Sequence, residues 1–210
     1  MTTLLVLSTP TPDAVGRLVA LLERHRHISP QLEEELARQQ TLTHTLAEHR
    51  LRGDRALSAW RTALSRRWEC EVSAQRAYRS VQRQLGGYYG PDTAYAQLIA
   101  PAHPSGGGTA SDLLHELRRL AASLELLAPC PPFAAEALAR LHVTGDELAV
   151  AIEQSQRCEN ERRSVSIEQR MAVNLYGRAY ERARRLLAGY LGEQALALPP
   201  SCPERDELPG

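Results

Sequence analysis

Apolar residues recur at helical spacing along most of the chain, and the first such run predicts a short helix. Leu18 and Leu22 lie one helical turn apart within this run, which places them on the same face. The preceding Thr11-Pro12-Asp13 supplies a capping residue, a proline at the first helical position and an early acid. The segment His27-Ile28-Ser29-Pro30 then ends this helix and begins the next, with Ser29 as its N-cap.

The second run is much longer and predicts one long helix that starts near Leu32. Its apolar positions hold a helical phase with a period of about 3.5 residues, the pattern of a coiled coil. They are Leu32, Leu36, Leu42, Leu46, Leu51, Leu57, Trp60, Leu64, Trp68, Val72, Tyr78, Val81, Leu85 and Tyr88. Gly86-Gly87 is expected to end this helix. Gly53 either interrupts it or is tolerated at about 1 kcal/mol relative to alanine. We favour one continuous helix.

The second half of the chain follows the same plan. Thr109–Asp112 is expected to cap a short helix that runs to Leu127. The prolines of Pro129–Pro132 break it, and residues 133–188 are predicted to form a second long helix that contains Gly145. Since Gly53 and Gly145 do not occupy equivalent places, neither is read as a required break.

The two halves resemble each other in sequence as well as in pattern. Residues 12–92 align without a gap with residues 114–194, an offset of 102 residues, and 22 of the 81 pairs are identical. The most similar block is 77–90, which matches 179–192 and ends in both copies with Gly-Tyr-X-Gly. Self-similarity at a fixed offset is the sequence signature of an internal duplication.

These patterns predict an all-α fold. We expect an elongated helical bundle built from two tandem copies of a short-helix plus long-helix unit, related by pseudo-two-fold symmetry. Two helices enclose little core alone, so the copies are expected to pack on each other or to pair with another chain. The expected organisation is an N-terminal segment 1–10, a first helical repeat 11–92, a Pro/Gly-rich linker 93–110, a second repeat 111–194 and an extended C-terminal tail 195–210.

The amino-acid composition limits the kinds of partner that the chain is expected to bind. The chain has 210 residues, of which 43% are apolar, enough to bury a core. Its 25 acidic and 25 basic residues balance, and all the basic ones are arginines spread over every predicted helix. This distribution indicates codon usage rather than a phosphate-binding face, so no nucleic-acid partner is expected.

The cysteines and the N-terminal residues indicate the cellular compartment in which the protein is expected. The four cysteines show no metal-type spacing and are few for a disulfide scaffold, which favours a reducing compartment. The apolar run at residues 4–7 is too short for a signal peptide. No stretch reaches the roughly 18 apolar residues of a transmembrane helix. A cytoplasmic protein without a membrane span is therefore expected.

The two tryptophans give the most specific structural hypothesis. Trp60 and Trp68 lie in the middle of the first long helix, and the residues 102 positions later are Arg162 and Arg170. If the long helices cross antiparallel near their middles, equivalent positions approach each other and the rings can lie under the guanidinium groups. The alternative is that the tryptophans face the core or a partner while the arginines are solvated.

The tyrosines cluster at the ends of the two long helices. Tyr78, Tyr88 and Tyr89 lie in the first repeat, and Tyr180 and Tyr190 in the second. The simpler interpretation is that they pack each helix end against its surroundings, with their hydroxyl groups reaching water. The alternative is a pair of equivalent contact patches for a protein partner, because tyrosine is favoured at interfaces.

The sequence lacks the common motifs of catalytic sites. The chain has no nucleophile elbow, P-loop, dinucleotide fingerprint or His-Glu-X-X-His sequence, and its histidines do not converge at metal-binding spacing. We therefore predict no cofactor, no metal site and no enzymatic activity. The leading hypothesis is a structural or scaffolding protein that self-associates through helical seams, as an oligomer or a filament. The second is an adaptor that binds a protein through the tyrosine-rich helix ends, and the third is a helical enzyme or metal-binding bundle.

Overall fold

A computed structural model describes residues 12–90, 108–128 and 130–192 of the chain. The expected N-terminal segment 1–10, the linker up to residue 107 and the C-terminal tail 195–210 lie outside the described residues. No strand occurs in the described part, which is almost wholly helical, so the predicted all-α class is confirmed.

The helices follow one another as short, long, short and long. They are α1 (Pro12–His25), α2 (Pro30–Tyr89), α3 (Ala110–Glu125) and α4 (Ala134–Leu191), with a 3₁₀ turn at Arg26–Ile28 between the first two. Both long helices pass through their early glycines, Gly53 in α2 and Gly145 in α4, without a break. The expected continuity is confirmed.

The helix starts agree with the capping residues read from the sequence. The backbone N–H of Gln31 donates to Ser29 Oγ at 3.2 Å, so Ser29 is the N-cap of α2. At the start of α3, Asp112 N donates to Thr109 Oγ1 at 3.3 Å and Thr109 N donates to Asp112 Oδ2 at 2.7 Å. This reciprocal pair is a capping box. The side chains named as caps therefore fix where both helices begin.

The helix ends differ from the prediction. The prediction that Gly86-Gly87 ends the first long helix is wrong, because α2 continues to Tyr89 and ends at Gly90, where φ is 73°. Likewise α4 ends before Gly192, where φ is 80°, and not at residue 188. A glycine inside a helix costs only about 1 kcal/mol, whereas a helix terminus often needs the positive φ that glycine adopts without strain. The N–H of Gly90 and of Gly192 each donates to a carbonyl four residues earlier.

The described residues form two compact units, and each unit combines one short helix with parts of both long helices. Unit 1 consists of the described parts of Met1–Gly53 and Val165–Gly210, and unit 2 of those of Asp54–Ser164. Unit 1 thus contains α1, the first part of α2 and the last part of α4. Unit 2 contains α3, the last part of α2 and the first part of α4. The units therefore do not coincide with the repeats.

Each unit has its own apolar core, in which the segments of α2 and α4 run antiparallel. In unit 1, buried leucines of α1 and α2 pack with Ala183 and Leu187 of α4. In unit 2, the core joins Val81 and Leu85 of α2 to leucines of α3 and to Leu141 and Leu148 of α4. None of the described helices combines the length and the apolar character of a membrane span.

The two mid-helix glycines give a matched stability test. Gly145→Ala is expected to raise the free energy of unfolding by up to about 1 kcal/mol, because its Cβ would lie at ordinary contact distance, 3.9 Å, from Leu114 Cδ1. Gly53→Ala should gain less, since its Cβ would lie 3.0 Å from Gln169 Oε1 and displace that side chain. Thermal unfolding followed by circular dichroism measures both changes. A destabilised Gly145→Ala variant would contradict the packing of α3 on α4.

Candidate functional site

The predicted contact between Trp60 and Arg162 lies within unit 2. Arg162 Cζ is 4.6 Å from the centroid of the Trp60 ring, a distance at which a guanidinium group is attracted to the face of an indole. Both side chains are half-buried, and Arg162 Nε is buried without a hydrogen-bond partner among the described residues. The Trp60 ring face therefore lies beside a guanidinium group that is partly removed from water.

Trp68 is placed differently. Its side chain is 65% exposed. The preceding residue, Arg67, donates to Ser155 Oγ at 3.5 Å, so Trp68 lies level with the part of α4 around Ser155. Arg170 is an exposed residue fifteen positions further along α4. In an antiparallel pair only positions near the middle meet their own equivalents, so a Trp68–Arg170 contact does not follow from this register.

A double-mutant cycle measures the coupling between Trp60 and Arg162. Trp60→Leu and Arg162→Gln should each lower the free energy of unfolding, and the double variant should lose about 1 kcal/mol less than the sum of the two. Chemical denaturation of the four proteins gives the coupling energy. The matched control replaces Trp68 by leucine in combination with Arg162→Gln, and these two changes should be additive. Additive losses at Trp60 as well would mean that the ring and the guanidinium group are not coupled.

Tyr78 is a buried residue that connects two helices of unit 2. Its hydroxyl donates to Glu116 Oε2 at 3.4 Å, and Arg119 Nη2 lies 2.8 Å from the same oxygen. Burial raises the pKa of Tyr78 above its ordinary value, and the neighbouring Glu116 carboxylate raises it further while Arg119 lowers it. This residue therefore ties α2 to α3 and is covered by protein, unlike a residue of a free contact patch.

The tyrosines at the helix ends have different surroundings in the two units. In unit 2, the Tyr88 ring packs edge to face on Tyr89 and on Phe133, with centroids 4.8 and 6.0 Å apart. In unit 1, the Tyr190 hydroxyl donates to Gln31 Oε1 at 3.1 Å and lies 2.9 Å from Ser29 Oγ. Tyr88 and Tyr190 are nevertheless 47% and 42% exposed. The two ends are equivalent in position and partly accessible, but one is aromatic and the other polar.

Tyr180 completes the predicted set. It is half-buried and packs against the apolar core of unit 1. Its neighbour four residues earlier, Tyr176, is only 3% exposed. The tyrosines of the last part of α4 therefore contribute mainly to the core, in agreement with the simpler of the two interpretations of this cluster.

A stripe of exposed apolar side chains lies on the last part of α4, and it was missed in the sequence. Ile167, Met171 and Leu175 are 58%, 61% and 59% exposed and follow one another every four residues. On a helix this spacing places them on one face, which points away from the buried Val165 and Tyr176. The stripe was overlooked because an apolar residue at helical spacing is read as core unless the facing helix is known.

Unit 1 also contains a buried polar cluster that the sequence pattern did not indicate. Glu35 and Gln39 of α2 are 1% and 0% exposed. Gln39 Nε2 donates to Glu35 Oε1 at 3.0 Å, and Arg182 Nη2 of α4 lies 3.2 Å from Glu35 Oε2. In the same unit burial raises the pKa of Tyr176 above its ordinary value, while the nearby Thr43 side chain lowers it. The cluster thus joins α2 and α4 through an ion pair between a buried carboxylate and an arginine whose side chain is 60% exposed.

The similarity between the two halves of the sequence contains an indication that this polar cluster is buried. Residues 102 positions after Glu35 and Gln39 are Ala137 and Leu141, and both are buried in unit 2. Because the two halves of the sequence are similar at this offset, the apolar residues Ala137 and Leu141 are a sign that Glu35 and Gln39 lie on the covered face of α2. Acids in the first turn of a helix also favour the helix dipole, so the position of Glu35 alone does not indicate that it is buried.

Comparisons with other proteins and a search for metal sites add no further assignment. Comparison of the chain with protein-family models, with curated proteins and with solved structures gave no match. Within residues 12–90, 108–128 and 130–192, no group of three or more His, Cys, Asp or Glu side chains is arranged to hold a metal ion.

Proposed function

We propose that this chain is a non-enzymatic structural or scaffolding protein that self-associates through its long helices, as an oligomer or a filament. The observation that carries the proposal is the stripe Ile167, Met171 and Leu175, three large apolar side chains that are each more than half exposed. Single exposed apolar residues are common on protein surfaces, but contiguous ones mark interaction sites.

The residues around the stripe suit a contact between proteins. Arg170 and Arg178 are exposed beside it on the same helix, and an apolar centre with a charged rim is the usual composition of an interface. The stripe alone is smaller than the roughly 800 Å² per partner that a stable interface buries. Self-association therefore requires additional surface, and α4 offers further exposed apolar residues at Val143 and Val150.

A pair of polar substitutions tests the stripe. Met171→Gln with Leu175→Gln should weaken self-association at least tenfold, since burial of each side chain contributes about 1.5 kcal/mol or more. Glutamine has nearly the helix propensity of methionine and leucine, so folding should be unchanged. Asn174→Gln, at an exposed position between them, is the matched control. Light scattering after gel filtration gives the masses, and equal association of all three proteins would remove the stripe from the interface.

The alternative function is that of an adaptor that binds another protein at its helix ends. The observation in its favour is that Tyr88 and Tyr190 occupy equivalent positions and are both nearly half exposed. Their different neighbours, Phe133 in one unit and Gln31 in the other, would give two sites of different chemistry. A protein that stays monomeric at all concentrations favours this alternative over self-association.

We also infer that the fold arose by duplication of a two-helix unit. Three features support this inference: the 22 identities in 81 pairs, the repeated order of a short and a long helix, and the terminal glycines 102 residues apart. Buried side chains recur at the same offset in four leucine or alanine pairs of the described residues, Leu18 with Leu120, Leu22 with Leu124, Leu32 with Ala134, and Leu85 with Leu187. The elongated form and the pseudo-two-fold relation of the copies stay predictions.

A further inference from the structure

The contacts between α2 and α4 follow the same register in both units. In unit 1, a Cβ atom at Gly53 would lie 3.0 Å from Gln169 Oε1, so these two residues meet. In unit 2, Arg67 Nη1 donates to Ser155 Oγ at 3.5 Å. Ser155 lies 102 positions after Gly53, and Arg67 lies 102 positions before Gln169. The second contact is therefore the first one with the two repeats interchanged.

Because the register is shared, the apolar row of each long helix does not by itself select a partner. The buried Leu85 of α2 and the buried Leu187 of α4 are equivalent residues. In the same register, such rows would also join α2 to another α2, or α4 to another α4. Helices with similar apolar rows discriminate between partners through the polar and charged residues at their contacts. The residues at those contacts thus decide which repeat each helix accepts.

The ion pair of Glu35 with Arg182 depends on residues that differ between the repeats. Glu35 is 1% exposed, and Arg182 Nη2 lies 3.2 Å from its Oε2 atom. The α2 residue equivalent to Arg182 is Ser80, so two α2 helices would place this buried carboxylate opposite a serine, at two places. A buried carboxylate that loses its cation is strongly destabilising. Helix α2 therefore disfavours a second α2.

The contact of Trp60 with Arg162 disfavours a second α4. The two residues are equivalent, 102 positions apart, and Arg162 Cζ lies 4.6 Å from the ring centroid. Two α4 helices would place Arg162 opposite Arg162, and the like charges would repel each other at half-buried positions. Two α2 helices would place Trp60 opposite Trp60 and lose the attraction between cation and ring.

Arg52 and Glu168 form a third contact, at the surface of unit 1. Arg52 Nη1 lies 2.6 Å from Glu168 Oε2. The α2 residue equivalent to Glu168 is Arg66, so two α2 helices would bring Arg52 opposite another arginine. In unit 2 the equivalent residues, Gln154 and Arg66, line one pocket, in agreement with the shared register. Since Arg52 and Glu168 are partly exposed, this contact contributes less than the other two.

We propose that the facing surfaces of α2 and α4 are selective for each other, so that each long helix accepts the other repeat and disfavours a second copy of itself. The specificity-determining residues are Glu35 with Arg182 and Trp60 with Arg162. This selectivity directs the two halves of the chain onto each other and leaves association between chains to other surfaces. It rests on the inferred duplication, which supplies the equivalent positions, and it goes beyond the proposed self-association.

Substitutions that copy a residue from one repeat to the other create the disfavoured contacts inside the full-length chain. Arg182→Ser places opposite Glu35 the residue that a second α2 would bring. It should raise the equilibrium constant of unfolding about 30-fold, which corresponds to about 2 kcal/mol. Trp60→Arg creates the arginine pair of two α4 helices and should raise this constant at least about fivefold. The control Arg184→Gln copies a first-repeat residue to an exposed position of α4 and should change it less than about twofold.

Exchange of the two residues of one contact gives a readout that a general structural role would not give. Trp60→Arg with Arg162→Trp again places a ring opposite a guanidinium group, at equivalent positions, and should recover most of the stability that Trp60→Arg loses. Urea denaturation followed by circular dichroism, at one protein concentration, gives the unfolding constants of all five proteins.

The outcomes separate this inference from the proposed self-association. Losses in Arg182→Ser and in Trp60→Arg, with recovery in the exchanged variant, support the selectivity. Losses no larger than that of Arg184→Gln overturn it, and so does an exchanged variant that is no more stable than Trp60→Arg. Self-association is measured on the unmodified chain by its mass at several concentrations, so it stands or falls independently of these variants.

Discussion

Truncation of Leu187 to alanine should lower the free energy of unfolding by about 3 kcal/mol, and truncation of Leu85 should have an effect of similar size. Leu187 is 0% exposed in the core of unit 1, and Leu85 is 1% exposed in the core of unit 2. They occupy equivalent positions 102 residues apart. A large-to-small change in such a place loses the transfer free energy of the removed atoms and leaves a cavity.

Urea denaturation followed by circular dichroism measures both losses. The matched control is Leu175→Ala, the same substitution at a side chain that is 59% exposed, and it should change the free energy of unfolding by less than about 0.5 kcal/mol. A loss below 1 kcal/mol at Leu187 would contradict the assignment of this residue to a packed core, since buried leucines cost about 2 to 5 kcal/mol when truncated.

Removal of Arg182 is expected to have the second largest effect, a loss of about 2 kcal/mol. Glu35 is 1% exposed, and Arg182 Nη2 lies 3.2 Å from its Oε2 atom. Arg182→Ala therefore leaves a buried carboxylate without its cation. The full cost of a broken buried pair is higher, but the Arg182 side chain is 60% exposed, so solvent screens part of the interaction. Arg178→Ala, at another exposed arginine of α4, is the control.

The complementary experiment removes both buried polar side chains of α2. Glu35→Ala with Gln39→Leu introduces the residue types found 102 residues later, at the buried Ala137 and Leu141. Arg182 stays in this variant, but its side chain is 60% exposed and remains solvated, so no charge is left buried without a partner. We expect this double variant to be at least as stable as the parent chain. A strong destabilisation would show that the polar network stabilises unit 1 by itself.

The sequence predicted the helices because their starts depend on local chemistry. The side-chain oxygens of Ser29 and Thr109 accept hydrogen bonds from backbone N–H groups at the helix starts, as N-cap residues do. The spacing of the apolar residues indicated one long helix in each half of the chain. The ends were less predictable, since Gly86, Gly87 and Gly90 are equally permissive residues. Only the positive φ at Gly90 distinguishes the one that ends α2.

Which side chains are exposed depends on the register between α2 and α4, that is, on which residues of the two helices lie opposite each other. A single sequence does not give this register. Equivalence under the repeat was enough to place Trp60 near Arg162, because both lie close to the middle of an antiparallel pair. For Trp68, two turns further along α2, the same reasoning gives Arg170, and this pairing stays a prediction because the two residues belong to different units. The stripe at Ile167, Met171 and Leu175 and the burial of Glu35 depend on which face of a helix is covered. The covered face of each helix is set by how the segments of α2 and α4 pair within each unit, and the sequence does not give this pairing.

Sedimentation equilibrium of the unmodified chain, from low to high micromolar concentration, tests the central claim of self-association most directly. The account predicts a weight-average mass that rises with concentration above the 23.3 kDa of a single chain. A constant mass of 23.3 kDa at every concentration would contradict the account.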